Sequence, residues 1–332
     1  MQDILNKYYE FFIKSNFTTR DTTKDDKEFY ELYKLITNRY DLSKDRNLNY
    51  DLMVFFDFFD SVDNFEIRRH AMYSYTQDNV ERRKSNFERR ERVSFGWFNA
   101  SPNMVKNDDF IYSIKRTNDI FCKVYLSIKS EKYIEVMIEL QKFIDNLYKN
   151  HPNEELGQCK FRNVPSNDAI VMRFASKKHY EEFLNFLDEN PKIKNSFDTP
   201  NLFIPRDEYG LSVLPDQNSS YNFFVTKMLW DYMFECKEKS INASVEGLCN
   251  FIANYNCLTP EIMDKCNESV IGSFKDILIG KLTSKPDSEL LSFMNKKSKK
   301  LELGIITLNL SNLKGKDGTP LYKNIFKTSK AT

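Results

Sequence analysis

The chain has 332 residues, 41% of them hydrophobic, enough for a sizeable core and a length that suggests two or three domains. Its 49 Lys and Arg against 48 Asp and Glu leave a net charge of +1, so no global field points to nucleic acid or a membrane surface, and any electrostatic specificity must be local. No apolar run approaches the roughly 18 residues of a membrane span, and the opening MQDILNKYYEFFIKSN is amphipathic rather than a signal peptide. The six cysteines form no CxxC and are expected to be reduced, small apolar residues, in keeping with a cytoplasmic protein.

Apolar residues at helical spacing predict helices over 2–16 and 26–40. Residues 48–75 are aromatic and read as extended. Residues 81–92 carry six cations and three acids, a solvated helix laced with ion pairs or a docking face for an acidic peptide through Arg82, Arg83, Lys84, Arg89 and Arg90. With only Phe87 between its charges, the segment lacks the interleaved aromatics that nucleic acid would need.

The most informative stretch runs from Phe121 to Ala175: strand, helix, strand, strand. Side chains alternate along a strand, so Lys123 and Tyr125 share one face of the first strand, Lys160 and Arg162 one face of the second, and Arg173 interrupts an apolar third. Cations in the middle of half-buried strands need counter-charges, which an anion such as phosphate would supply. Edge-strand protection by lysine, and plain packing for Tyr125, are the competing readings. A helix is predicted over 177–189, stopped by Asn190–Pro191. Residues 200–218 form a Pro-rich loop containing Arg206, and Ser219 or Ser220 is placed to cap a helix over 221–239 that opens with Tyr221 and Asn222. Helices follow over 244–255, 260–282 and 287–299, then a strand-like 301–310. The expected organisation is a helical and strand-bearing region over 1–104, a core over 105–240, and a mostly helical region over 241–332. The expected fold is α+β, with a mixed, mostly antiparallel central sheet, helices on one side and a helical C-terminal third.

Nucleotide, zinc-protease, serine-hydrolase and kinase motifs are absent. Cys249, Cys257 and Cys266 match no zinc spacing, and no metal site is expected. His151 and His179 are expected at the surface.

Five motifs, in order, carry a family resemblance: Lys123–Val124–Tyr125–Leu126–Ser127, Cys159–Lys160–Phe161–Arg162, Asp168–Ala169–Ile170–Val171, the loop from Pro205 to Pro215, and Ser220–Tyr221–Asn222. They resemble the lyases of the HopA-type effector and class V lanthipeptide maturation family, related in fold to bacterial effector phosphothreonine lyases. The resemblance covers about a third of the chain. It implies β-elimination of phosphate from phosphoserine or phosphothreonine, without metal or organic cofactor, on a phosphorylated precursor peptide supplied by a separate kinase-like protein. It implies Lys123 as a phosphate or carbonyl contact and Tyr125 as the acid, at a position where the phosphothreonine lyases keep a histidine. The base falls on Lys160, or in strict register on Arg162, which stays protonated. Arg162, Arg173, Arg206, Tyr221 and Asn222 are implied as the phosphate and substrate contacts. A non-catalytic phosphopeptide- or protein-binding module of the same fold is the alternative.

Overall fold

The computed structural model describes residues 1–18, 27–41, 44–45, 47–49, 51–52, 55, 97–99, 106–107, 110–111, 121–151, 154, 156–162, 164–215, 220–255 and 268–295. Met1–Asn295 cluster as one compact unit, inside which the expected borders at 104 and 240 both fall. Lys296–Thr332 form a second unit that lies outside the described residues, as do segment 81–92 and the strand expected over 301–310.

Five strands make the central sheet: β1 (Trp97–Asn99), β4 (Cys122–Leu126), β5 (Gly157–Arg162), β6 (Ile170–Phe174) and β7 (Ser212–Leu214), in the order β1-β5-β6-β4-β7. Every described pairing is antiparallel. β2 (Lys106–Asn107) and β3 (Phe110–Ile111) pair separately. The fold is α+β. β7 lies within the stretch read as loop-rich and was not singled out there, because its three residues are too few for alternation to register. Gly157 opens β5 at φ +93°, and a Cβ there would sit 1.9 Å from the Arg173 carbonyl oxygen. Only glycine allows the β5–β6 backbones to approach this closely.

Helices cover both faces of the sheet, not one as expected. On the first face, Cys122, Val124, Leu126, Met172 and Phe174 pack into a cluster with α3 (Tyr133–Asn150) and α4 (Lys177–Glu189). The inward stripe of α3 is Tyr133, Val136, Met137, Leu140, Ile144 and Leu147, at the 3.6-residue spacing of one helix face. Ser176 caps α4 by accepting from the His179 N–H, and the short α5 (Pro191–Lys194) follows Asn190.

On the second face, Tyr125, Val171 and Leu214 join a cluster with α1 (Gln2–Lys14), α2 (Lys27–Ile36) and α6 (Tyr221–Lys239). Helix α6 is buried almost all round, as befits a central helix. Ser220 caps it and Ser240 ends it at φ 52°. Trp230 at its middle meets Phe12, Phe17 and Phe29 from α1, α2 and their connection. Gln2 ties α1 to the start of α7 (Val245–Asn254): its Nε2 donates to the Ala243 carbonyl at 3.0 Å, and its Oε1 accepts from the Val245 N–H at 2.9 Å. α8 (Glu268–Leu282) and α9 (Asp287–Leu290) follow. Where residues 48–75 are described, they are helical rather than extended, at 48–49, 51–52 and 55, and Leu52 and Phe55 are buried. The rest of that stretch lies outside the described residues. Cys122, Cys159, Cys236 and Cys249 are free thiols.

Candidate functional site

Register decides which side chains meet, because directly opposed residues of an antiparallel pair share a face. Lys123 of β4 stands opposite Arg173 of β6 and Leu214 of β7. One rung along, Tyr125 stands opposite Val171 and Ser212, and Lys160 of β5 stands opposite Val171 on its other side. Lys123, Lys160, Arg162 and Arg173 therefore lie on a single face, spread over three neighbouring strands. Lys123 is buried with its Nζ 5.2 Å from the centre of the Tyr125 ring. Tyr125 is 4% exposed and belongs to the apolar cluster beneath α6. Lys160 and Arg173 are half-buried and keep some access to solvent.

Arg162 has a different setting. Its Nη2 lies 3.6 Å from Oδ2 of Asp168, and both side chains are buried. Oδ2 also accepts from the Tyr33 hydroxyl at 2.7 Å and from Asn222 Nδ2 at 3.1 Å, and Oδ1 accepts from Ser166 Oγ at 2.7 Å. Asn222 Oδ1 in turn accepts from Asn201 Nδ2 at 2.9 Å. Burial pushes the Asp168 carboxyl up, but the Arg162 guanidinium and the three donors outweigh it and hold the group below the usual carboxylate range. The Tyr33 phenol is driven up by burial and then by Asp168. Arg162 is thus a cation neutralised from within, joining β5 and the β5–β6 connection to α2 and α6. The carboxylate opposite it takes the place the sequence reading gave to phosphate.

The remaining expected contacts are distributed as follows. Arg206 turns to α9: its backbone N–H donates to Asp287 Oδ2 at 3.0 Å, and its Nε lies 3.8 Å from the same oxygen. Tyr221 is fully buried, its hydroxyl donating to the Phe203 carbonyl at 2.9 Å and its ring set edge-on to Phe274. Asn222 is tied to the β5–β6 connection through Asp168. Arg82, Arg83, Lys84, Arg89 and Arg90 lie outside the described residues.

Sequence reasoning missed Asp168, Tyr33, Ser166 and Asn201 as the partners of this network. A signal for Asp168 existed: an acid two residues before an apolar strand, six residues after a cation on the preceding one. Tyr33, 135 residues from Asp168, gave none. The surface expectation for His179 is also overturned. It is 1% exposed, because the helix it opens lies against the sheet and its ring turns inward.

Comparisons of the chain with protein-family models, with curated proteins and with solved structures gave no match.

Proposed function

We propose that the face of β4, β5 and β6 receives the phosphate of a phosphoserine or phosphothreonine in a peptide and eliminates it, leaving a dehydroamino acid. One observation carries this reading: Lys123 and Arg173 stand directly opposite each other, with Lys160 one rung away on the adjoining strand. Cationic N–H donors from three neighbouring strands suit the several oxygens of one phosphate. Lys160, which retains solvent access, acts as base in its neutral form and takes the Cα proton. The electron pair left behind forms the Cα–Cβ double bond, and the Cβ–O bond breaks. Lys123 and Arg173 receive the negative charge that grows on the departing phosphate, and the Tyr125 hydroxyl gives it a proton. The reaction calls for no metal or organic cofactor. The fitting substrate is a lanthipeptide-type precursor, phosphorylated by a separate kinase-like protein in a reducing cytoplasm.

The same fold used as a phosphopeptide-binding module without chemistry is the second reading. The Arg162–Asp168 pair and the 4% exposure of Tyr125 favour it, since one cation is already answered and the acid is shielded. Incubation of the full chain with a phosphoserine peptide, followed by mass spectrometry, separates the two. Loss of phosphoric acid that Lys160→Ala abolishes supports elimination. Calorimetric binding of the peptide, weakened by Arg173→Ala but with no loss of phosphoric acid, replaces it with the binding reading. Neither binding nor loss overturns both.

A further inference from the structure

On the opposite side of the sheet, a second cluster of chemistry-bearing groups joins the end of α3 to the start of α4. Two His-x-x-Glu pairs, His151 with Glu154 and His179 with Glu182, interlock crosswise. His151 Nε2 lies 2.9 Å from Glu182 Oε2, His179 Nε2 lies 2.9 Å from Glu154 Oε2, and His151 Nδ1 lies 3.0 Å from Glu154 Oε1. The two imidazole rings are 5.1 Å apart. His179 is almost wholly buried and its Nδ1 has no hydrogen-bond partner, so the polar anchorage of that ring is all at Nε2.

We propose that His151 Nδ1, a Glu154 carboxylate oxygen and His179 Nε2 form a site for a divalent transition metal, Zn2+ by the chemistry of the donors. Donor atoms of these three residues all lie within 4.8 Å of one another. Zn–N and Zn–O bonds of about 2.0–2.2 Å in a tetrahedron place neighbouring donors about 3.3 Å apart, so the two histidine–Glu154 contacts, at 3.0 and 2.9 Å, open by a few tenths of an ångström while the two histidine nitrogens, within 4.8 Å, draw together around the ion. Two imidazoles and one carboxylate suit zinc rather than calcium or magnesium, which take oxygen. Glu182 completes the arrangement. It accepts from the far nitrogen of His151, which fixes the tautomer that leaves Nδ1 free to bind metal. The fourth position is left for water.

Lys178 is the built-in competitor. Its Nζ lies 3.1 Å from Glu154 Oε1 and 3.4 Å from His151 Nδ1, so an ammonium stands at the edge of the donor set. Its side chain is 58% exposed and swings into solvent when the metal enters. The metal then clips the C-terminal end of α3 to the first turn of α4.

The test is calorimetry of the chelator-treated full chain with Zn2+, and visible absorption with Co2+ as a coordination probe. One equivalent binds, with the intense Co2+ bands of a four-coordinate site. His151→Gln and Glu154→Gln abolish those bands, and Glu182→Gln weakens Zn2+ roughly 10–100-fold through the lost orientation of His151. Lys178→Met strengthens binding roughly fivefold, a gain that misfolding cannot mimic. If His179→Gln fails to fold, His151→Gln, at a half-buried position, and Lys178→Met still decide the matter. No stoichiometric binding by the natural sequence, or binding unchanged in His151→Gln, overturns the site. The phosphopeptide assay run in chelator reads the other face independently.

Discussion

The two faces of the sheet are made by the same strands but are completed by different parts of the chain. The face under α3 and α4 is closed by the helices that connect and follow its own strands, and the strand residues it buries there, Cys122, Val124, Leu126, Met172 and Phe174, are apolar. The other face carries Lys123, Tyr125, Lys160, Arg162 and Arg173, and its cover comes from α1 and α2 at the start of the chain and from α6, which follows β7. Apolar surface accepts any apolar neighbour, so a local crossover suffices. A buried guanidinium needs a particular carboxylate and its supporting donors, and these arrive from Tyr33, Ser166, Asp168 and Asn222. The lesson is that polar burial on this sheet holds together what sequence separates.

The sharpest way to break this contrast is Asp168→Ala, which strands the Arg162 charge in the interior. It is expected to destabilise the fold by about 3–5 kcal/mol in urea titrations. The paired exchange Arg162→Met with Asp168→Leu removes both charges and is expected to recover most of that loss. If the pair costs as much as the single change, the network contributes more than charge neutralisation. On the apolar face, Leu187→Ala is expected to cost about 3 kcal/mol through its cavity, whatever the pH.

Acid separates the faces further. The Asp168 carboxyl is held below its unfolded value, so its stabilisation is present above the unfolded carboxylate range, about 3.9, and is lost as the pH falls through the lower folded value. Melting temperatures followed downward in pH fall less steeply in Asp168→Asn than in the natural sequence, while Leu187→Ala keeps the natural slope. The smallest effect is expected from Ser176→Ala, about 1 kcal/mol, through the loss of the cap on α4. A thermal melt of that variant shows whether the connection into α4 is as local as the packing indicates.

Much of this was legible in the sequence because it is periodic or punctuated. The helix over 177–189 was found to the residue, from its apolar spacing and the Asn190–Pro191 stop. The helix over 221–239 was found equally well from Ser220 and its apolar run. Alternation alone placed Lys123 with Tyr125 and Lys160 with Arg162, and the registers bring those pairs onto one face. What alternation lacks is any statement about the partner. It made Arg162 a waiting cation, because Asp168 lies beyond the strand end and Tyr33 lies on a helix 135 residues from Asp168. The stretch 48–75, read as extended, is helical where it is described, for a related reason. Phe and Tyr favour strands and buried helices alike, and over a few residues burial leaves no period to read. The helical pattern also showed the inward side of α4, with Tyr180, Phe183 and Leu187 buried, but a histidine beside that apolar stripe gave no sign that it too is taken inside.

The clasp between Gln2 and residues 243–245 has a consequence for how the chain is made. Its two halves are 241 residues apart. At ordinary rates of synthesis, the first helix leaves the ribosome roughly 10–50 s before its seat is complete. During that interval Leu5, Tyr8 and Phe12 have no α6 to bury them. A slowed or stalled ribosome prolongs the exposure, and a chaperone that covers short aromatic helices during translation shortens its cost.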